Sequence, residues 1–433
     1  MTARERIVAA DKARVWHPYA PMDEYLASDP LVVARAEGAW LYDVDGRAYL
    51  DANASWWTSV LGHRHPRLVA ALTSQLAQLD HCALAGITHA PAAELAEALL
   101  ARSPGMSRIF YVDDGSTAVE AAIKLSVQHA RQTGRPGRHK LVTLGDSVHG
   151  DTVGAASVSG VEVFRRPFGA ILFETIRVDV SSPAREGWAR AFAQLSDVVR
   201  RDADAIAAVI LEPVVQGAAG MLIYPPELLR EARRATAEHD VTLILDEVFT
   251  GYGRTGAFWA SEHAGVSADL VCTAKGFSGG MLPMGAVLAT ERIFDAFRGA
   301  RDRAFYYGHS FTGNPLGAAV GREVLRVFDD ERVLEGVAPR TARIRATFER
   351  LGRRGGVARA RSLGMVGALD LEGGGGYLAG AGWRVFDEAR RRGAYLRPLG
   401  DVVYVTPSIN VPLDDLDRLL AIVEESVEAA LRA

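Results

Sequence analysis

The chain has 433 residues, 48% of them hydrophobic and 24% charged, with a formal net charge of −4. That size allows a large core and two or three domains, and the charge leaves no basic footprint for nucleic acid. Two cysteines, Cys82 and Cys272, are too few for a disulfide framework and suit a reducing compartment. The opening MTARERIVAADKARVW mixes charges of both signs and has no apolar signal core. No uncharged apolar run approaches the roughly 18 residues of a membrane span. A soluble, cytoplasmic protein is expected.

In chain order, GAWLYDVDGRAYLD reads as a hairpin that turns at Asp45-Gly46. RIFYV (108–112) then precedes a helical pattern from Ser116 to Arg131. The runs KLVTL (140–144) and AIAAVIL (205–211) follow, with a helical segment over Glu227–His239. VTLILD (241–246), DLVCT (269–273) and GAVLAT (285–290) complete the set. Continuous apolar runs alternating with helices predict a parallel sheet covered on both faces. The tail differs: a helix over Val333–Arg353, GMVGALDL, a glycine loop at 373–376, a helix over Gly382–Arg392, AYLRPL, VVYVTPS and a last helix from Asp414. It reads as a smaller α+β unit.

Three stretches carry chemistry. In FYVDDGSTAVEAAIKLS a strand passes through Gly115 and Ser116 into a helix, whose free N–H groups and positive end favour a phosphate. By itself this is also a plain capped helix start. VTLILDEVFTGYGRTG ends a strand in Asp246 and Glu247. Ligands of open α/β sheets bind beyond such strand ends, and a buried aspartate needs a cationic or hydrogen-bonding partner. A protonated pyridine nitrogen would serve, as would backbone or a nearby arginine such as Arg254. DLVCTAKGFSGG places Lys275 just past the next strand, either as a surface lysine or as a reacting amine. Phosphate cradle, acid and amine at successive strand ends are what pyridoxal phosphate asks for: phosphate, ring nitrogen and aldehyde.

From about Trp16 to the final helix the chain resembles the class III (subgroup II) aminotransferases of the fold-type I pyridoxal-phosphate enzymes. The resemblance is carried by DDGSTAVEAAIK, HGDT, EPVVQGAAGM, ILDEVFTGYGRTG, AKGFSGG and GHSFTGNPLGAA. It implies an α/β fold with a large domain on a mainly parallel seven-stranded sheet (66–330), and a smaller α+β domain from the N-terminal (1–65) and C-terminal (331–433) segments. It implies that Lys275 forms the Schiff base and shuttles the proton, that Asp246 holds the pyridine nitrogen, and that Gly115 and Ser116 take the phosphate. Val248 would pack under one ring face, and His149 and His309 belong to the same cofactor set. Ser310 would bond the phosphate of the neighbouring subunit's cofactor, which implies a homodimer with shared active sites. The family usually has tyrosine before HGDT, stacked on the cofactor; here Val148 stands in that place.

VWHPYAPM, SWWTSVLGHRHP and YLRPLGDVVYVTP resemble the branch of the family that aminates 8-amino-7-oxononanoate with S-adenosylmethionine or lysine as donor. Each also has a plainer reading as packing aromatics or a surface arginine. Adjacent tryptophans suit methylenes and an arginine fork suits a carboxylate. By this resemblance Tyr19, Trp56, Gly308 and Arg397 line the acceptor site, with Trp57 beside them. Another ω-amine or diamine transaminase of the same class is the competing reading. His63 and His65 have no further ligand at suitable spacing, so no metal is expected.

Overall fold

The computed structural model describes residues 1–373 and 376–432. Its centre is a seven-stranded sheet of β1 (Arg108–Val112), β2 (Lys140–Leu144), β3 (Ile176–Val178), β4 (Ile206–Leu211), β5 (Thr242–Asp246), β6 (Leu270–Thr273) and β7 (Gly285–Ala289). The strands lie in the order β1-β7-β6-β5-β4-β2-β3. β7 runs antiparallel to both neighbours, and the other pairs are parallel. The six strands expected from the apolar runs are all present. β3 was not among them, because a three-residue edge strand with Arg177 at its middle has no apolar run to betray it.

The continuous runs have their physical reason in two cores, one on each face of the sheet. Along β5, Leu243 and Leu245 point to one core and Ile244 to the other; along β4, Val209 and Leu211 oppose Ile210. Helix α1 (Gly115–Gln132) covers one face with Ala118, Ala121, Ala122 and Leu125, a helical stripe of mostly small side chains. Helices α2 (Arg185–Asp202) and α3 (Pro226–Glu238) cover the other through Trp188, Phe192, Leu229 and Ala232.

The chain ends join in smaller sheets. Trp40–Asp43 and Ala48–Asp51 form the expected hairpin, and Gly46, at φ 84°, supplies the left-handed residue of its turn. The short strand Ala394–Tyr395 then pairs in parallel with Ala48–Asp51, matching Ala394 to Leu50 and Tyr395 to Asp51. A second, antiparallel sheet combines Val357–Leu363, Val366–Leu371 and Val402–Val405. Its first strand was missed in the sequence because Arg359 and Arg361 interrupt it; both pair with Asp370 of the next strand. Of the expected glycine loop, Gly374 and Gly375 lie outside the described residues, and Gly376 opens a short 3-10 turn, Gly376–Leu378. Among the described residues no helix is long and apolar enough to cross a membrane.

Leu50 is 1% exposed and sits where the two chain ends pair. Leu50→Ala is expected to destabilise the fold by about 2–5 kcal/mol, read as a lower urea midpoint. A midpoint within error of the parent would show that this junction contributes little.

Candidate active site

The carboxyl ends of the parallel strands face one cavity of about 410 Å³. Register brings its ionisable groups together. Leu211 of β4 lies opposite Leu245 of β5, and Asp246 lies opposite Cys272 of β6. Glu212, Asp246 and Lys275 therefore leave three adjacent strands at the same edge, and all three line the cavity. Gly115, Ser116, Val148, His149 and Val248 line it as well.

Asp246 is 4% exposed. One carboxylate oxygen accepts the Val248 N–H at 3.1 Å, and the other lies 2.6 Å from Nδ1 of His149. Arg254 is not its partner: that buried guanidinium donates to the Pro407 carbonyl at 2.6 Å instead. The Nε2 of His149 is buried with no partner among the described residues. Lys275 opens a short turn directly after β6 with a left-handed φ of 48°. Burial lowers its pKa, against the charges of Asp246 and Glu212, which raise it.

Gly115 and Ser116 are the first two residues of α1, but the cap is Asp114, whose side chain accepts the Thr117 N–H. Capping is thus done by Asp114 rather than by Ser116, which leaves the Ser116 hydroxyl free to accept the Asp151 N–H at 3.2 Å. A Cβ on Gly115 would stand 2.6 Å from Val248, so only glycine lets the helix start pack on that side chain.

The opposite wall comes from the chain ends. Residues Ala54, Ser55, Trp56 and Trp57 all have positive φ, a left-handed turn without a glycine. Such backbone costs about 1–2 kcal/mol per residue and persists only where its surroundings hold it. Asn53 does part of this: its side chain accepts the Arg397 N–H at 2.7 Å and donates to the Tyr404 carbonyl at 3.2 Å. Asp51 does the rest, accepting from Ser55 at 2.7 Å and lying 2.9 Å from His63. The turn delivers Trp57 with its ring centre 5.0 Å from the Lys275 Nζ, and Trp56 with its ring centre 4.9 Å from the Arg397 guanidinium. Arg397 also donates to the Tyr19 carbonyl at 3.1 Å. Tyr19, Trp56 and Trp57 line the cavity; Arg397 is outside that lining, in contact with Trp56 and Tyr19.

Gly308, His309 and Ser310 are not part of this lining. His309 lies 3.0 Å from Asp113, which is. The sequence reading missed Glu212, Asp151, Phe164 and Tyr377, all on the cavity. Glu212 could have been found as Asp246 was, as an acid ending an apolar strand. Its two oxygens accept the Val148 N–H at 3.0 Å and the Gly217 N–H at 2.8 Å, tying together two loops at the cavity floor. Tyr19 donates to Asp151, and burial is the main cause that raises its pKa.

Burial raises the Glu212 carboxyl from an ordinary 4.5 to about 7. The fold therefore binds this proton more tightly than the unfolded chain does. The associated stability is complete below pH 4.5 and is lost as the pH rises to about 7. Glu212→Gln is expected to lose less stability than the parent between about pH 4.5 and 7, measured as urea midpoints at both ends of that window. Equal losses would contradict a proton on Glu212.

The chain matches the class III aminotransferase family model over residues 24–427. It is 38% identical to an adenosylmethionine-8-amino-7-oxononanoate aminotransferase of Nitratidesulfovibrio vulgaris, over 98% of this chain and 82% of the relative. Among solved structures it is similar to the enzyme of the same name from Methanocaldococcus jannaschii, with a TM-score of 0.94 and 31% identity over 98% of this chain and 99% of that one. It is also similar to an amine transaminase from an uncultivated Pseudomonas species, solved in its PLP-bound form, with a TM-score of 0.91 and 30% identity over 96% and 99% of the two chains. A helix start, an acid and a lysine on one sheet edge are thus found in a chain that matches one family along nearly its whole length, and the chain belongs to the class III aminotransferases.

Proposed function

We propose that the chain aminates 8-amino-7-oxononanoate to 7,8-diaminononanoate in biotin biosynthesis, with pyridoxal phosphate as cofactor and S-adenosylmethionine or lysine as donor. The observation that carries this reading is the tryptophan wall. Lys275 stands at Trp57 and Arg397 at Trp56, so a reacting amine and a carboxylate fork lie along one apolar surface. A long-chain amino-oxo acid needs that combination.

The cofactor reading rests on groups that lack partners. The buried Nε2 of His149 has none among the described residues, and the start of α1 offers free N–H groups toward the cavity. Gly115 and Ser116 would hold the phosphate and Asp246 the ring nitrogen. His149, fixed on Asp246, would orient that carboxylate, while Val248 and Val148 would bound the ring with aliphatic side chains. When bound, the cofactor supplies an aldehyde that reacts with amines and an electron-poor ring that draws charge from the carbon losing its proton.

The residues do the rest. Asp246 would face the ring nitrogen, and a carboxylate there favours the protonated nitrogen. Burial favours a neutral Lys275, so its Nζ could take the proton from the donor's amine-bearing carbon and pass it to the cofactor in the same half-reaction, and make the reverse transfer to the acceptor carbon in the other. Trp56 and Trp57 exclude water from the methylene chain, and Arg397 sets its far end.

In this reading the unit is a homodimer in which Ser310 bonds the phosphate of the neighbouring subunit's cofactor. It works in the cytoplasm, with residues 66–330 as the cofactor domain and 1–65 with 331–433 as the smaller one. A second reading, an amine transaminase with another acceptor, is favoured by Val148, which offers the cavity no hydroxyl.

The parent gene is expected to restore growth without biotin to a cell strain lacking diaminononanoate synthase, and the Lys275→Ala variant is expected to fail. A parent that binds cofactor yet does not complement would favour the second reading. Arg397→Ala is expected to weaken the acceptor half-reaction by about 2–5 kcal/mol while sparing the donor half, followed by the cofactor's absorbance in single turnovers. Equal loss in both halves would argue against a carboxylate fork for the acceptor.

A further inference from the structure

Tyr377 belongs to no motif singled out in the sequence. It is carried by the short turn Gly376–Leu378, whose neighbours are exposed: Leu378 is 81% exposed, whereas the Tyr377 side chain lines the cavity. The turn is packed tightly on the loop that follows Arg397. A Cβ on Gly400 would stand 2.1 Å from the Gly376 carbonyl and 2.6 Å from the Tyr377 Cα. Gly400 itself has a φ of 60°. Glycine at 400 is what lets the two segments touch.

The Tyr377 ring continues an aromatic chain around the cavity mouth. It meets Phe164 edge-on at 4.7 Å, Phe164 meets Tyr19 at 5.4 Å, and Tyr19 meets Trp56 at 5.4 Å. Arg397 sits over Trp56, at the far end of this chain. Burial raises the Tyr377 pKa, and the positive charge of Arg397 pulls it back.

Hydrogen-bond directions decide what this hydroxyl can do. A guanidinium only donates, so Arg397 leaves the Tyr377 O–H for another acceptor. Tyr19, the other phenol on the cavity, spends its O–H on Asp151. Val148 contributes none.

We propose that Tyr377 determines specificity for carboxylates: its O–H and the Arg397 fork together take the far carboxylate of the substrate, so the clamp has two donors rather than one. This rests on the carboxylate site of the proposed function. The Gly376–Leu378 turn, seated on Gly400, positions both donors together.

The test is calorimetric titration of the holoenzyme with nonanoate and with nonanamide as probes. Tyr377→Phe keeps the ring and is expected to weaken nonanoate binding roughly tenfold while leaving nonanamide unchanged. In an Arg397→Ala background the same substitution is expected to change nonanoate binding less than about twofold, because the two donors act on one group. Leu76→Ala, at an exposed helix end outside the cavity lining, is expected to change neither probe. Unchanged nonanoate binding in Tyr377→Phe, an equal loss for both probes, or no nonanoate binding by the parent would each overturn the proposal. Amination of 8-amino-7-oxononanoate by the parent is scored separately, so its failure would remove the proposed reaction without deciding the carboxylate clamp.

Discussion

A lysine side chain held out of water needs answering charge close by, or it gives up its proton. At the carboxyl edge of the large sheet both effects act on Lys275. Burial pushes its pKa down, and Asp246 and Glu212, from the next two strands along the sheet, push it up. Those acids are themselves buried and must be satisfied: Asp246 by His149 and a backbone N–H, Glu212 by two backbone N–H groups. Strand register in the parallel part of the sheet is what brings the three together, and a slip by one residue would turn each of these side chains to the other face.

The second wall depends on a strained piece of backbone. Four left-handed residues in a row, none of them glycine, would not hold that shape alone. Asn53 ties them to Arg397 and to the Tyr404 carbonyl, and the strand Ala394–Tyr395 lies alongside the strand that leads into them. The same stitches that join the beginning and end of the chain therefore place Trp56 next to Arg397. Stability of the small sheet and geometry of the substrate wall are one problem, not two.

Relatives named for 8-amino-7-oxononanoate and a solved amine transaminase both cover almost the whole chain. Their shared fold carries no preference between acceptors. In this chain Val148 and Tyr377 both line the cavity, the first without a hydroxyl and the second with one.

The sequence by itself determined the elements whose pattern is local. Apolar runs marked the long strands, because a strand buried on both faces must be apolar throughout. The cavity edge was legible for a related reason: Gly115, Asp246 and Lys275 each stand at or just past the end of such a run. Short or charged strands, such as Ile176–Val178 and Val357–Leu363, escaped because their burial depends on partners far along the chain. Only the tertiary structure decided that Asp246 pairs with His149 and not Arg254, that Asp114 and not Ser116 caps the helix, and that Glu212 joins two loops. It alone set the turn that carries Tyr377 against the loop after Arg397, since that contact needs a glycine at 400. Periodicity is written in neighbouring residues; which distant side chains share a cavity is settled by packing between elements, and no local pattern records it.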